Sequence, residues 1–136
     1  PDEGTRKFTS ILKAAQAHWG EFFYDNSKKI ARGVLATNGR ATRIGELSYN
    51  DVKEHIYLTV RLNPGHPFAS NQIQALQRFD NNLTSLGHVA WDEEDKIINV
   101  RASSVVPKMA IRHAVKSVFS ETFVLLDNDN FQQFLA

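Results

Sequence analysis

Apolar residues near the start of this chain recur at helical spacing: Phe8, Ile11, Leu12, Ala15, Trp19, Phe22 and Phe23 form one aromatic-rich stripe on an otherwise polar segment. The pattern predicts an amphipathic helix from about Thr9 to Tyr24, halted by Asp25-Asn26-Ser27, whose side chains compete for backbone hydrogen bonds. Lys29 to Thr37 and Arg40 to Ser48 then flank Asn38-Gly39, a dipeptide that tolerates positive φ at both positions and suits a two-residue hairpin. After Tyr49-Asn50-Asp51, Ile56, Leu58, Val60 and Leu62 alternate with His55, Tyr57, Thr59 and Arg61, the clearest strand signal in the chain. The two prolines in Asn63-Pro64-Gly65-His66-Pro67 end it.

Helical spacing returns with Ile73, Leu76, Phe79, Leu83 and Leu86, predicting a second helix from about Ala69 to Leu86 with Ser70 near its start as a cap and Gly87 at its end. His88 to Trp91 and Lys96 to Val106 read as a second hairpin, joined by Asp92-Glu93-Glu94-Asp95, acids too costly to bury together. Pro107 is suited to open a third helix, with Ile111, Ala114, Val115, Val118, Phe119 and Thr122 as its stripe, reaching about Leu126. Asp127-Asn128-Asp129-Asn130 then breaks and restarts the chain before Phe131, Phe134 and Leu135. The expected fold class is α+β, in the order α-β-β-β-α-β-β-α: an antiparallel five-stranded sheet with helices on one face.

Composition narrows the functional classes. With 136 residues, 42% of them hydrophobic, the chain is expected to form one domain over 1–136, because two halves would each lack a sufficient core. The 16 Lys and Arg are scattered among 15 acids, for a net charge of +1, which argues against nucleic acid as a partner. A weak polyanion surface would draw on Lys28, Lys29, Arg32, Arg40 and Arg43. The absence of cysteine excludes disulfides, thiolate catalysis and Cys-ligated metals. No apolar run approaches the roughly 20 residues that span a bilayer. The opening residues lack a signal core and an initiating Met, so the expectation is a trimmed cytoplasmic chain with no membrane partner.

Candidate chemistry is sparse. His18, His55, His66, His88 and His113 fall in different predicted elements without zinc-helix spacing, so no metal site is expected. Residues 127–130 begin like a calcium loop but lack the following glycine and the distant glutamate. No serine sits in a nucleophile elbow and no glycine cluster forms a phosphate nest, so no catalytic residue and no cofactor are assigned. Dispersed carboxylates keep open one alternative, a small enzyme or ligand-binding domain using a His/carboxylate cleft of His55, Glu54 and His88. The aromatic residues carry the stronger suggestion. A sheet with helices on one face leaves the other uncovered, commonly for a second subunit or a protein or peptide client, and Trp19, Phe22, Phe23, Tyr57 and Trp91 are the candidates for that binding surface.

The element order, and within it a helix carrying Asn82, the hairpin of Val89-Ala90-Trp91-Asp92 and Ile98-Asn99-Val100-Arg101-Ala102-Ser103, and the helix after Pro107, resembles the type III secretion chaperone fold. It is similar in the same way to the bacterial YbjN-type proteins described as sensory transduction regulators. The likeness covers residues 69–126 by pattern and the remainder by element order. It implies a cytosolic, usually dimeric protein that binds an extended segment of another protein, carries no cofactor and has no catalytic residues to transfer. Secretion chaperones tend to be strongly acidic, whereas this chain is at +1. The expectation is therefore a chaperone-like homodimer that shares the fold rather than a secretion chaperone proper.

Overall fold

The computed structural model describes residues 2–35, 42–84, 86–106 and 110–135. Helix α1 (Glu3–Ala15) is capped by Asp2, whose carboxylate accepts the Thr5 N–H at 2.7 Å, and buries Phe8, Ile11, Leu12 and Ala15. The helix expected as far as Tyr24 stops here. A 3-10 turn (Gln16–His18) leads into strand β1 (Trp19–Asp25), followed by β2 (Ile30–Leu35), β3 (Arg43–Asn50) and β4 (His55–Leu62).

The reason lies in the register. Trp19 pairs with Leu35 but Phe22 with Gly33, so three steps on β1 match two on β2 across a bulge. Without the bulge, residues three apart would face opposite ways. With it, Trp19 and Phe22 turn to the same side, their rings 5.1 Å apart, and their spacing imitates one face of a helix. Gly33 allows the indole to lie against the neighbouring strand: a Cβ there would stand 2.6 Å from Trp19 Cδ2.

Helix α2 (Ser70–Asn81) ends at Asn82, short of the expected Leu86, and Gly87 opens β5 (Gly87–Asp92) instead of capping the helix. Ala69, not Ser70, is the cap residue; its N–H is taken by the Gln72 side chain at 2.8 Å. Strand β6 (Ile97–Val105) completes the hairpin as expected. Helix α3 runs from Ile111 to Asp127, and Asn128 caps the short α4 (Asp129–Gln132) by accepting the Phe131 N–H at 3.0 Å. Asn38-Gly39 and Pro107, expected to form a hairpin turn and a helix start, lie outside the described residues.

The sheet is therefore six-stranded, in the order β1-β2-β3-β4-β6-β5, with every neighbouring pair antiparallel. The strand missing from the expected five is β1. Three of its connections share one chemistry. Asp25, Asn50 and Asp92 each accept backbone N–H groups of the turn that follows, and Lys29, Glu54 and Lys96 close those turns at φ of 54–56°. Helix α3 packs across β4 and β6, α1 packs on α3, and α2 packs on β5. Between the helices and the sheet lie Phe8, Leu47, Leu58, Val100, Phe119 and Phe131, all fully buried. No helix among the described residues is long and apolar enough to cross a membrane.

Candidate functional site

Alternation along each strand sends every second side chain to the face that no helix covers. On it, Phe23, Arg32, Glu46, Thr59, Arg101 and His88 pair in register as a single row crossing all six strands. Alongside run Ile30, Ser48, Tyr57 and Ser103 on one side and Arg61, Asn99 and Ala90 on the other. Glu46 lies at the centre, 3.1 Å from Arg32 Nε and 3.7 Å from Arg61 Nη1. The Arg101 guanidinium lies 4.1 Å over the Tyr57 ring and has no acidic partner among the described residues. One carboxylate among three guanidinium groups leaves this centre cationic. A shallow basin of about 370 Å³ opens between Glu46, Thr59, Arg61, His88, Asn99 and Arg101, and the buried Asn99 Oδ1 meets no hydrogen-bond donor among the described residues.

The two edges of the sheet differ. At β5, Asp80 of α2 accepts the Val89 N–H at 2.9 Å and meets His88 Nδ1 at 3.2 Å, so the helix shields that edge. Strand β1 pairs only with β2, and Phe23, 82% exposed, stands out beside it. Val34 and Ile44, paired across β2 and β3 and both exposed, extend the apolar patch. A hollow of about 380 Å³ lies along this edge between Phe23, Tyr24, Lys28, Ile30 and Arg32. The site thus combines an apolar, accessible strand edge with a polar, cationic sheet face.

No family model and no curated protein matches the chain. Solved structures do. The chain is similar to one in the HopA1–SchA chaperone–effector complex, with 11% identity, a TM-score of 0.56, and coverage of 90% of this chain and 94% of the other. It is also similar to one in the ExsC–ExsE complex, with 10% identity, a TM-score of 0.57, and coverage of 99% and 97%. The fold is thus one also seen in a chain of a chaperone–effector complex. At these identities the likeness is one of fold, and it extends over nearly the whole chain, well beyond the segment 69–126.

On this fold the five aromatic residues singled out in the sequence do not converge. Phe23 and Tyr57 reach the uncovered face. Trp19 is buried, its ring edge-on to Phe119 at 5.4 Å, with Phe22 half-buried against it. Trp91 stacks on Phe68 at 4.4 Å and donates its Nε1–H to Glu93 at 2.7 Å. The histidine and carboxylate cleft is not assembled either. Glu54 turns toward α1, where it accepts from Lys7 Nζ at 2.5 Å. His55 pairs with Val105 and His88 with Arg101, on opposite sides of β6. Four residues along and two strands across separate the two histidine backbones by roughly 16 Å. Of the scattered cations, Lys29 is taken up by Asp51 at 3.5 Å and Arg32 by Glu46, while Arg40 lies outside the described residues. No group of three or more His, Asp or Glu among the described residues could hold a metal ion.

Arg61, Arg101 and Asn99 were not singled out. Their signal was present as polar residues at alternate positions of two strands, but only the pairing of β4 with β6 brings them together.

Proposed function

We propose that this chain is a single-domain, non-enzymatic, chaperone-like protein of the cytoplasm, related to the YbjN-type proteins, which forms a homodimer and binds an extended segment of a client protein. The observation that supports the reading is the one-sided sheet: a fold similar over 90–99% of the chain to chains from a chaperone–effector complex and from the ExsC–ExsE complex, with an open face and an accessible apolar edge at β1. A strand added to that edge would take up its free backbone groups and meet Phe23, while Val34 and Ile44, one and two strands further in, would be covered by client side chains lying over the open face. The Arg101–Tyr57 pair and the Glu46 centre would then set the client's charge preference.

Paired co-purification from the native cell tests the proposal, with wild-type bait and a Phe23→Glu/Ile44→Glu bait identified side by side by mass spectrometry. The expected result is one protein recovered with the wild type and lost from the double variant. Light scattering of the purified wild type is expected to give twice the mass of the chain. A monomer that recovers the same proteins as its variant would overturn the proposal.

A further inference from the structure

A groove of about 580 Å³ lies on the helical side, away from the sheet face, between the end of α1 and the start of α3. Its floor is apolar, made by Ala14, Ala17 and Ile111, and its rim is cationic, made by Lys13, Arg112 and Lys116, with His18 beside them. The arrangement follows from helix geometry: Ser10, Lys13, Ala14 and Ala17 share one face of α1 and its extension, and Arg112 and Lys116, four apart, share one face of α3. No acid lines the groove, and none of Lys13, Arg112 and Lys116 forms an ion pair among the described residues. Several other cations are matched, Lys7 with Glu54, Lys29 with Asp51, and Arg32 and Arg61 with Glu46, whereas among the described residues Arg101 on the sheet face is not. The cluster also sits where α3 presents the positive end of its dipole, and the cap residue Ala110 has no side chain to satisfy that end. His18 is fixed in place by stacking on Phe119, with centroids 4.7 Å apart. Burial, and then Lys116, holds its imidazole below the usual histidine range.

Three unneutralised cations around an apolar floor of small-molecule size are complementary to a ligand that carries an anionic head on an apolar body. We propose that the α1–α3 groove is a binding site for a small amphiphilic organic anion, a phosphate or carboxylate on an apolar body, with Arg112, Lys116 and Lys13 holding the head and Ala14, Ala17 and Ile111 the body. The site is independent of the sheet face and stands whether or not a client binds there.

Calorimetric titration of the full chain with octyl phosphate, octanoate, octyl glucoside and inorganic phosphate, each below its micelle concentration, tests the site. Saturable binding is expected for octyl phosphate, for octanoate, or for both, which also tells which head group is preferred. Octyl glucoside and inorganic phosphate are expected to bind at least about tenfold more weakly, since each lacks one half of the ligand. Arg112→Glu and Lys116→Glu, both at exposed positions, are each expected to weaken binding about tenfold, the equivalent of one charge-assisted hydrogen bond. Arg61→Glu on the sheet face is expected to leave it unchanged. Equal binding of octyl glucoside, indifference to both charge reversals, or no binding of either anionic amphiphile would overturn the assignment. Displacement of octyl phosphate by a Glu-rich decapeptide of higher affinity would assign the groove to a protein partner instead.

Discussion

The contact between Trp19 and Gly33 tests the account of β1 most directly. Replacing Gly33 by Ala places a Cβ 2.6 Å from Trp19 Cδ2 and 2.9 Å from Phe22 Cβ. The indole has little room to retreat, because it is 7% exposed and packed against Phe119 and Phe22. Overpacking of this kind costs about 1–3 kcal/mol. Against it stands a gain of about 0.5–1 kcal/mol for replacing glycine within a strand. Gly33→Ala is therefore expected to destabilise by about 1 kcal/mol, within bounds of about 0 and 2.5, a fall in Tm of roughly 4 °C for a chain of this size. In a Trp19→Leu background the obstruction is gone, and the same substitution should become neutral or stabilising. Urea unfolding of the four proteins in this cycle should yield an interaction energy of about 1–3 kcal/mol. Additivity within about 0.5 kcal/mol, or a Gly33→Ala protein more stable than the parent, would refute the idea that the bulge lays Trp19 on Gly33.

Tyr49 is 5% exposed and its hydroxyl has no hydrogen-bond partner among the described residues, so Tyr49→Phe should raise stability by about 1 kcal/mol in urea unfolding; a loss of that size would mean the hydroxyl is satisfied. His18 is held below the usual histidine value of 6.5 by burial and then by Lys116, so near that pH the unfolded chain binds more protons than the native one, and stability falls as pH drops through 6.5. Urea midpoints at two pH values either side of 6.5 should show this slope in the parent and its loss in His18→Phe, which keeps the ring on Phe119; parallel behaviour of the two would rule His18 out as its source. Phe23→Glu, on a side chain 82% exposed, should change stability by less than about 0.5 kcal/mol in a thermal melt, so that any loss of partner it causes is a loss of surface and not of fold.

Local chemistry was legible in the sequence wherever one element decided its own form. The alternation of residues 55–62, the acidic turn after Asp92 and the Asn128 cap each appear where the pattern places them. The reading failed where a distant partner decided. Trp19, Phe22 and Phe23 look helical until the pairing of β1 with β2 introduces a bulge. Leu83 and Leu86 extend the helical spacing of α2, yet the helix has ended by then: Leu83 packs against the core from the following segment, and Leu86 is exposed. The uncovered sheet face followed from the order of elements alone. Which charges meet on it did not, because Glu46, Arg61 and Arg101 come from three strands whose register no local pattern encodes. The α1–α3 groove shows the same limit, since spacing places Arg112 and Lys116 on one face of α3 but says nothing of Lys13 across from them.

The packing of α1 on α3 also bears on the order in which the chain can fold. Most of the sequence separates these helices, so during synthesis the side chains of Phe8, Ile11 and Leu12 leave the ribosome with no partner and wait for α3 to emerge. The β1–β4 meander, built from neighbours in sequence, can form meanwhile. In refolding followed by pulsed hydrogen exchange, the amides of β2 to β4 should be protected first, and those of α1 together with α3, as one late step. A protein whose proposed work is to hold unfolded segments would thus itself pass through a stage in which its first helix is such a segment.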